Sequence, residues 1–308
     1  MLRGPFDCGT RRRTPAFIRA ASAFICVFAA FWLTESAAAE ISVRDDLGRE
    51  VMLERPARRI VTLAPFLTEL AFSAGLGSRV VGVSAFSDYP PQARALPQVA
   101  SAAGVSPERI AALHPDLVLA WSDSLRPEEA ERIARLGPAV FVARARRLAD
   151  VPRLLVDIGT LGGRDTRSLA ARYDARLESL RRTYAHRAPL AVFLEIWSRP
   201  LTTISGRHFI NEALGLCGAR NVFADLPGVA PEVSWEELYA RDPPVIVGLA
   251  SAPDAASFRA NWRRHPTLSA VRNARLVFAS ADALQRPTLR TPEAIAGLCA
   301  ALDAVRPR

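Results

Sequence analysis

The feature that most constrains this chain is an internal echo. Ser106, Glu108, Ile110, Ala112 and Pro115, followed by the apolar run from Leu117 to Trp121, return 128 positions later as Ser234, Glu236, Leu238, Ala240, Pro243 and the run from Val245 to Ala250. In each copy a Ser stands at the helix N-cap position, a Glu follows in the first turn, apolar residues recur at helical spacing, and a Pro precedes a β-type run. A chain that builds the same helix-then-strand unit twice is expected to form two similar α/β lobes. Two lobes imply a cleft between them.

The N-terminus reads as an export signal. Arg3, Arg11, Arg12, Arg13 and Arg19 precede an apolar stretch from Ala20 to Leu33, and Ala37-Ala38-Ala39 supplies a small-residue cleavage site before Glu40. That apolar stretch is shorter than the roughly 20 residues a membrane-spanning helix needs, so a soluble, periplasmic mature chain is expected. An uncleaved anchor is the alternative. The bulky Ile25 before Cys26 argues against lipoprotein processing. Cleavage after Ala39 would lower the net charge from +9 to +6, because five Arg leave with Asp7 and Glu35. All basic side chains are Arg, and they are dispersed. No basic stripe with interleaved aromatics appears, which argues against nucleic acid as a partner.

Two of the four Cys, Cys8 and Cys26, lie in the signal. The remaining pair, Cys217 and Cys299, reads as one disulfide in an exported chain, with two buried thiols as the alternative. Closing so long a loop would contribute ~4 kcal/mol on the chain-entropy model.

Along the chain, Arg59 to Leu63, Val80 to Ser84, Leu117 onward and Ala139 to Val142 read as strands, with helices from Thr68 to Ala74, from Ser106, and from Pro127 to Leu136. The opening Asp45-Asp46-Leu47-Gly48-Arg49 reads as exposed. The alternation resumes with strands at Ala191 to Ile196, Val222-Phe223 and Leu276 to Ala279 and a helix from about Phe209 to Leu216. Such spacing predicts mostly parallel sheets covered by helices. Between the halves, Leu169, Tyr173, Leu177, Leu180 and Tyr184 recur every three or four residues in a stretch free of Gly and Pro. A helix from Arg164 to Ala185 would run roughly 33 Å, enough to cross between lobes and limit hinge motion. The expected organisation is a signal over 1–39, an N-terminal lobe over 40–150, a connecting segment with its backbone helix over 151–188, and a C-terminal lobe over 189–308.

Chemistry-bearing motifs of enzymes are missing: no G-x-S-x-G, no G-x-x-x-x-G-K, no G-x-G-x-x-G and no H-E-x-x-H. His114, His186, His208 and His265 show no metal-ligand spacing, so neither a catalytic residue nor a resident metal site is expected. His208, in a loop after Gly206-Arg207, is the imidazole to watch at the cleft.

The runs Ala64-Pro65-Phe66-Leu67-Thr68-Glu69-Leu70, Val83-Ser84-Ala85-Phe86-Ser87-Asp88-Tyr89-Pro90 and Ser106-Pro107-Glu108-Arg109-Ile110 to Pro115-Asp116-Leu117-Val118-Leu119-Ala120-Trp121 carry a family likeness. They resemble the periplasmic cobalamin-binding proteins of ABC importers, within the helical-backbone group that also holds siderophore and haem binders. The resemblance implies two α/β lobes joined by a single long rigid helix, a ligand cleft between them, and a Cys217–Cys299 disulfide. It implies a monomer with no cofactor of its own that carries cobalamin, or a related corrinoid, to a membrane permease. The family's corrin-facing Tyr falls at Phe86 and a cleft Trp at Trp121; an Asp and an Arg that bond corrin amides fall at Asp282 and Arg286. Two further cleft Trp positions fall near Ala102 and Ala230 and a cleft Phe at Ile196, so Trp197 and Leu201 are the expected substitutes for the lost apolar area. Glu108 and Glu236 fall where the family places permease-docking carboxylates. Stabilisation of the helix dipole, about 0.3–1 kcal/mol each, would also account for acids at those two positions. The rival cargoes are a ferric siderophore or haem, and the rival class an exported α/β enzyme.

Overall fold

The computed structural model describes residues 40–249, 253–279 and 281–306. The expected signal over 1–39 and the last residue of the second echo, Ala250, lie outside the described residues. The described chain opens with a hairpin, β1 (Ile41–Arg44) and β2 (Glu50–Leu53). Its turn corrects the expectation of an exposed start. Asp45 is buried because its carboxylate accepts the Leu47 and Arg49 N–H groups at 3.0 and 2.9 Å and pairs with the Arg49 guanidinium at 2.7 Å.

Two sheets follow. The first contains β3 (Ile60–Thr62), β4 (Val80–Ser84), β5 (Gln98–Ser101), β6 (Gly104–Val105), β7 (Leu117–Trp121) and β8 (Ala139–Ala143) in the order β6-β5-β4-β3-β7-β8. All pairs are parallel except β5 with β6. After β9 (Leu190–Glu195) a short hairpin, β10 (Trp197–Ser198) and β11 (Leu201–Thr202), precedes β12 (Ala219–Asn221), β13 (Ile246–Leu249) and β14 (Leu276–Ala279). The second sheet runs β12-β9-β13-β14, all parallel. Stripped to β4-β3-β7-β8, the first sheet has the same order of second, first, third and fourth strand. The echo seen in the sequence is therefore a repeat of topology, with β7 and β13 at matching places.

The local chemistry of the two copies matches as well. Ser106 Oγ accepts from the Arg109 N–H at 3.3 Å, capping helix Pro107–Ala112, and Ser234 Oγ accepts from the Glu237 N–H at 3.1 Å, capping helix Trp235–Arg241. Each helix ends at a residue with positive φ, His114 at 44° and Asp242 at 33°, immediately before a Pro that cannot continue it.

Helix Arg167–Tyr184, 18 residues or about 27 Å long, joins the halves. It packs against helix Asp150–Leu161 of the first half and against helices Phe209–Leu216 and Thr291–Val305 of the second. Tyr173, Leu177 and Leu180 bury its inner face. These residues belong to one apolar cluster that includes Leu67, Leu119 and Phe141 on one side and Leu194, Val247 and Leu298 on the other. Separate cores for the two lobes are thus only half of the picture. Each sheet has a private cluster on its outer face, around Val118 and Val140 in one and Phe193 and Phe258 in the other, while their inner faces share a continuous core through the helix. Close-packed cores resist shear, so this continuity holds the lobes in fixed relation. Cys217 and Cys299 are disulfide-bonded with Cα atoms 4.8 Å apart, tying helix Phe209–Leu216 to helix Thr291–Val305.

The elements read from apolar periodicity mostly fall within a residue or two of their observed bounds, whereas β1, β2, β5, β6, the β10–β11 hairpin and helices Asp150–Leu161, Ala255–Trp262 and Thr291–Val305 have no counterpart in that reading. Val222-Phe223, read as a strand, falls just beyond β12, and helix Pro65–Ser73 begins three residues before its expected start because Pro65 occupies the first turn, where its missing N–H costs nothing. No helix among the described residues is long and apolar enough to cross a membrane.

Candidate functional site

Parallel strands whose order reverses leave a crevice at their carboxyl ends. Both sheets reverse there, between β3 and β7 and between β9 and β13. The loops beyond these edges enclose a cleft of about 670 Å³, within the usual range of ~300–1,000 Å³ for small-molecule sites. Pro65 and Phe66 enter after β3, Trp121 ends β7, and Ala145 and Arg146 follow β8. The other wall comes from Arg207, His208 and Phe209, from Gly228 and Val229, and from Asp282, Gln285, Arg286 and Pro287 after β14.

The apolar part of the cleft is aromatic. Trp121 meets Phe66 edge to face, with ring centroids 5.9 Å apart. Such pairs contribute about 0.5–1.5 kcal/mol beyond their buried area and hold the indole in place. Val229 is half exposed in the cleft mouth, next to Gly228 at φ +84°, a backbone angle that favours glycine.

The polar part is built on Arg286, whose side chain is mostly buried. Its Nη1 donates to Asp88 Oδ1 at 2.6 Å and to Glu69 Oε1 at 3.3 Å, and its Nη2 donates to the Phe86 carbonyl at 3.1 Å. Asp282, one helical turn earlier, stands 3.8 Å away and is largely exposed. Glu69, buried in helix Pro65–Ser73, is also held bidentately by Arg290, at 2.9 and 2.6 Å. The Arg290 guanidinium in turn lies 3.9 Å from the centre of the Tyr89 ring. Arg286 and Arg290 come from the second lobe and their partners from the first, so this network spans the gap. Burial pushes the Asp88 pKa up, but the hydrogen bond and charge of Arg286 outweigh it and hold the carboxyl below its ordinary range.

Of the residues singled out in the sequence, the structure brings Trp121, Asp282 and Arg286 to one cleft, together with His208. Phe86, expected to face the ligand, is not among the lining residues and reaches the cleft only through its carbonyl, which accepts from Arg286. Its ring is 75 % exposed and its φ is +63°, an angle uncommon for an aromatic residue, and the Arg286 bond to its carbonyl holds it there. Trp197 and Leu201 are not among the residues that line the cleft. Leu201 is buried in the outer cluster of the second lobe, and Trp197 is exposed on the β10–β11 hairpin, its indole N–H donating to the Arg199 carbonyl at 2.9 Å. In the hairpin Trp197 pairs with Thr202 and Leu201 with Ser198, so the two apolar residues occupy opposite faces and only Leu201 turns inward. Phe66, Phe209 and Val229 supply the apolar lining instead, and only tertiary packing distinguishes them from ordinary core residues.

Glu108 and Glu236 are both exposed, each in the first turn of an echoed helix. Neither residue is among those that line the cleft. The Glu108 N–H and the Ser106 hydroxyl, 3.0 Å from Glu108 Oε2, hold that carboxyl below its usual range. Among the described residues no cluster of three or more His, Cys, Asp or Glu side chains has the arrangement of a metal site.

Comparison with known proteins bears on the family and the fold. Residues 60–283 match the family described as Periplasmic binding protein. The Vitamin B12-binding protein of Vibrio cholerae serotype O1 is 35% identical over 246 residues, covering 79% of this chain and 88% of that protein. The crystal structure of the periplasmic vitamin B12 binding protein BtuF of Vibrio cholerae superposes with a TM-score of 0.73 at 34% identity, covering 82% of this chain and 99% of that one. The apo form of the periplasmic heme-binding protein RhuT from Roseiflexus sp. RS-1 shares the fold, with a TM-score of 0.70 at 23% identity over 81% of this chain and all of that one.

Proposed function

Because the chain belongs to the periplasmic binding protein family, we propose that it captures cobalamin or a related corrinoid in its interlobe cleft and passes it to the permease of an ABC importer, without catalysis of its own. The observation that carries this reading is the cleft itself: an aromatic wall of Trp121 and Phe66 facing the polar groups Asp282, Gln285 and Arg286 at the carboxyl ends of two like sheets. A corrin is a broad apolar macrocycle with a rim of amide side chains. Its faces suit the indole and phenyl rings, and its amide carbonyls and N–H groups suit the guanidinium and carboxylates. The similarity at 35% identity to a relative named for vitamin B12 supports the same cargo.

In this reading the chain is exported, its signal removed after Ala39, and works in the periplasm as a monomer. Corrinoid is its cargo and not a resident cofactor. With lobes over 40–150 and 189–308 joined through the rigid helix Arg167–Tyr184, capture uses a preformed cleft with small adjustments of loops. Glu108 and Glu236, one on each lobe and each exposed in the first turn of an echoed helix, form the pair of carboxylates that meets a two-fold permease. Equilibrium dialysis of the mature chain against cyanocobalamin tests the reading. Saturable binding of one corrinoid per chain is expected, and no retention above a buffer control would overturn it.

A further inference from the structure

His208 borders the cleft at the start of helix Phe209–Leu216, and its two ring nitrogens have been given different tasks. Nδ1 accepts the Ile210 N–H at 3.2 Å, which caps the helix. An imidazole nitrogen that accepts an N–H carries no proton, so in the neutral ring the proton sits on Nε2. The ring also lies against Phe209, with centroids 4.6 Å apart. Nε2, at the opposite corner from the helix, has no protein partner among the described residues. Burial pulls the imidazole down to about 4, against the opposing charge of Asp123, so the ring is neutral around pH 7.

From the cap bond and the position at the cleft wall, we infer that His208 is a fixed N–H donor to an amide carbonyl on the corrinoid rim and does not ligate the metal of the cargo. Ligation through Nε2 would require the proton to move to Nδ1, where it would face the Ile210 N–H donor head on and the cap would be lost. The cleft therefore recognises the periphery of a metal macrocycle and leaves the axial positions of the metal to the ligands it arrives with. His208 is thus a specificity-determining residue. It favours cargoes with rim acceptors and an already filled coordination sphere over macrocycles that need a protein ligand.

This inference rests on the corrinoid reading of the cleft, and the two fail differently. The test compares the unaltered chain with H208N and H208Q. Asn caps helices well but is too short to place its N–H where Nε2 stands, whereas Gln reaches that far and caps poorly. H208N should keep the thermal midpoint and lose about tenfold in cyanocobalamin affinity, the size of one hydrogen bond, while H208Q should lose midpoint and stay within about threefold. Diaquacobinamide, whose axial waters exchange for imidazole, should keep its visible spectrum on binding the unaltered chain. Failure of the unaltered chain to bind cyanocobalamin overturns the corrinoid reading. Binding with an imidazole-type spectral change that H208Q abolishes, or equal affinity in the unaltered chain and H208N, overturns the donor role alone.

Discussion

Arg286 of the second lobe and Asp88 of the first are joined by a 2.6 Å hydrogen bond, and the same guanidinium holds the carbonyl of Phe86 two residues before its partner. Arg286 thus holds the loop that carries the exposed Phe86. A group first expected to touch ligand also acts on a neighbour. R286M should therefore weaken cyanocobalamin binding about tenfold or more, the scale for truncating a central interface Arg. Titrating the variant by calorimetry checks this. Unchanged affinity would separate Arg286 from the site.

The Asp88 tie carries a pH signature. Its carboxyl is held below the unfolded value, so its contribution is fully present above the ordinary carboxylate range near pH ~4 and is lost as pH falls through the depressed folded value. Because Asp88 is 44% exposed at its side chain, the contribution should be below ~1 kcal/mol. Thermal midpoints measured from pH 7 to pH 3 should fall more steeply for the unaltered chain than for D88N. Parallel curves would contradict the assignment.

Glu69 makes a sharper demand. Its carboxylate is almost fully buried between Arg286 and Arg290, so E69A takes the carboxylate from Arg290, leaves Arg286 with Asp88 and Asp282 alone, and should cost about 3 kcal/mol. Urea denaturation reads this directly. A loss below 1 kcal/mol would mean that water or Asp88 replaces the carboxylate.

Trp121 should matter for binding more than for folding. W121A removes the ring that meets Phe66 and should weaken corrinoid affinity by at least about 1 kcal/mol, the scale of aromatic anchors in pockets. Equal affinity in the variant would remove Trp121 from the contact surface.

Reversing both exposed carboxylates, E108R with E236R, should abolish uptake of corrinoid by cells and leave affinity in solution unchanged. Charges on an interface rim steer encounter and fix register more than they add affinity within a distant site. If acids are there only for the helix dipoles, uptake stays normal and only the thermal midpoint falls.

How legible the protein is depends on the range of the interactions concerned. The echoed helix caps at Ser106 and Ser234 and the periodic helix Arg167–Tyr184 could be read because capping and amphipathic spacing act over a few residues. The hairpin start could not, since the burial of Asp45 depends on its turn and on β8, whose Val142 carbonyl accepts the Asp46 N–H at 3.0 Å. Nothing near Glu69 in the sequence marks its buried ion pairs, because its two Arg partners lie more than 200 positions away. Trp121, Asp282 and Arg286 were reached through resemblance. Residue type alone does not separate a pocket wall such as Phe66 or Phe209 from core such as Leu201. That distinction arises only when the loops at the carboxyl ends of both sheets come together around the cleft.

The claim on which everything else rests is the cargo, and one calorimetric competition addresses it. The purified mature chain is titrated in turn with cyanocobalamin, haemin and a ferric hydroxamate siderophore, and each saturated complex is then challenged with the other two. The account predicts one tight cyanocobalamin site per chain that neither competitor displaces at equal concentration. Saturable binding of haemin or the siderophore, with no heat from cyanocobalamin, would contradict it.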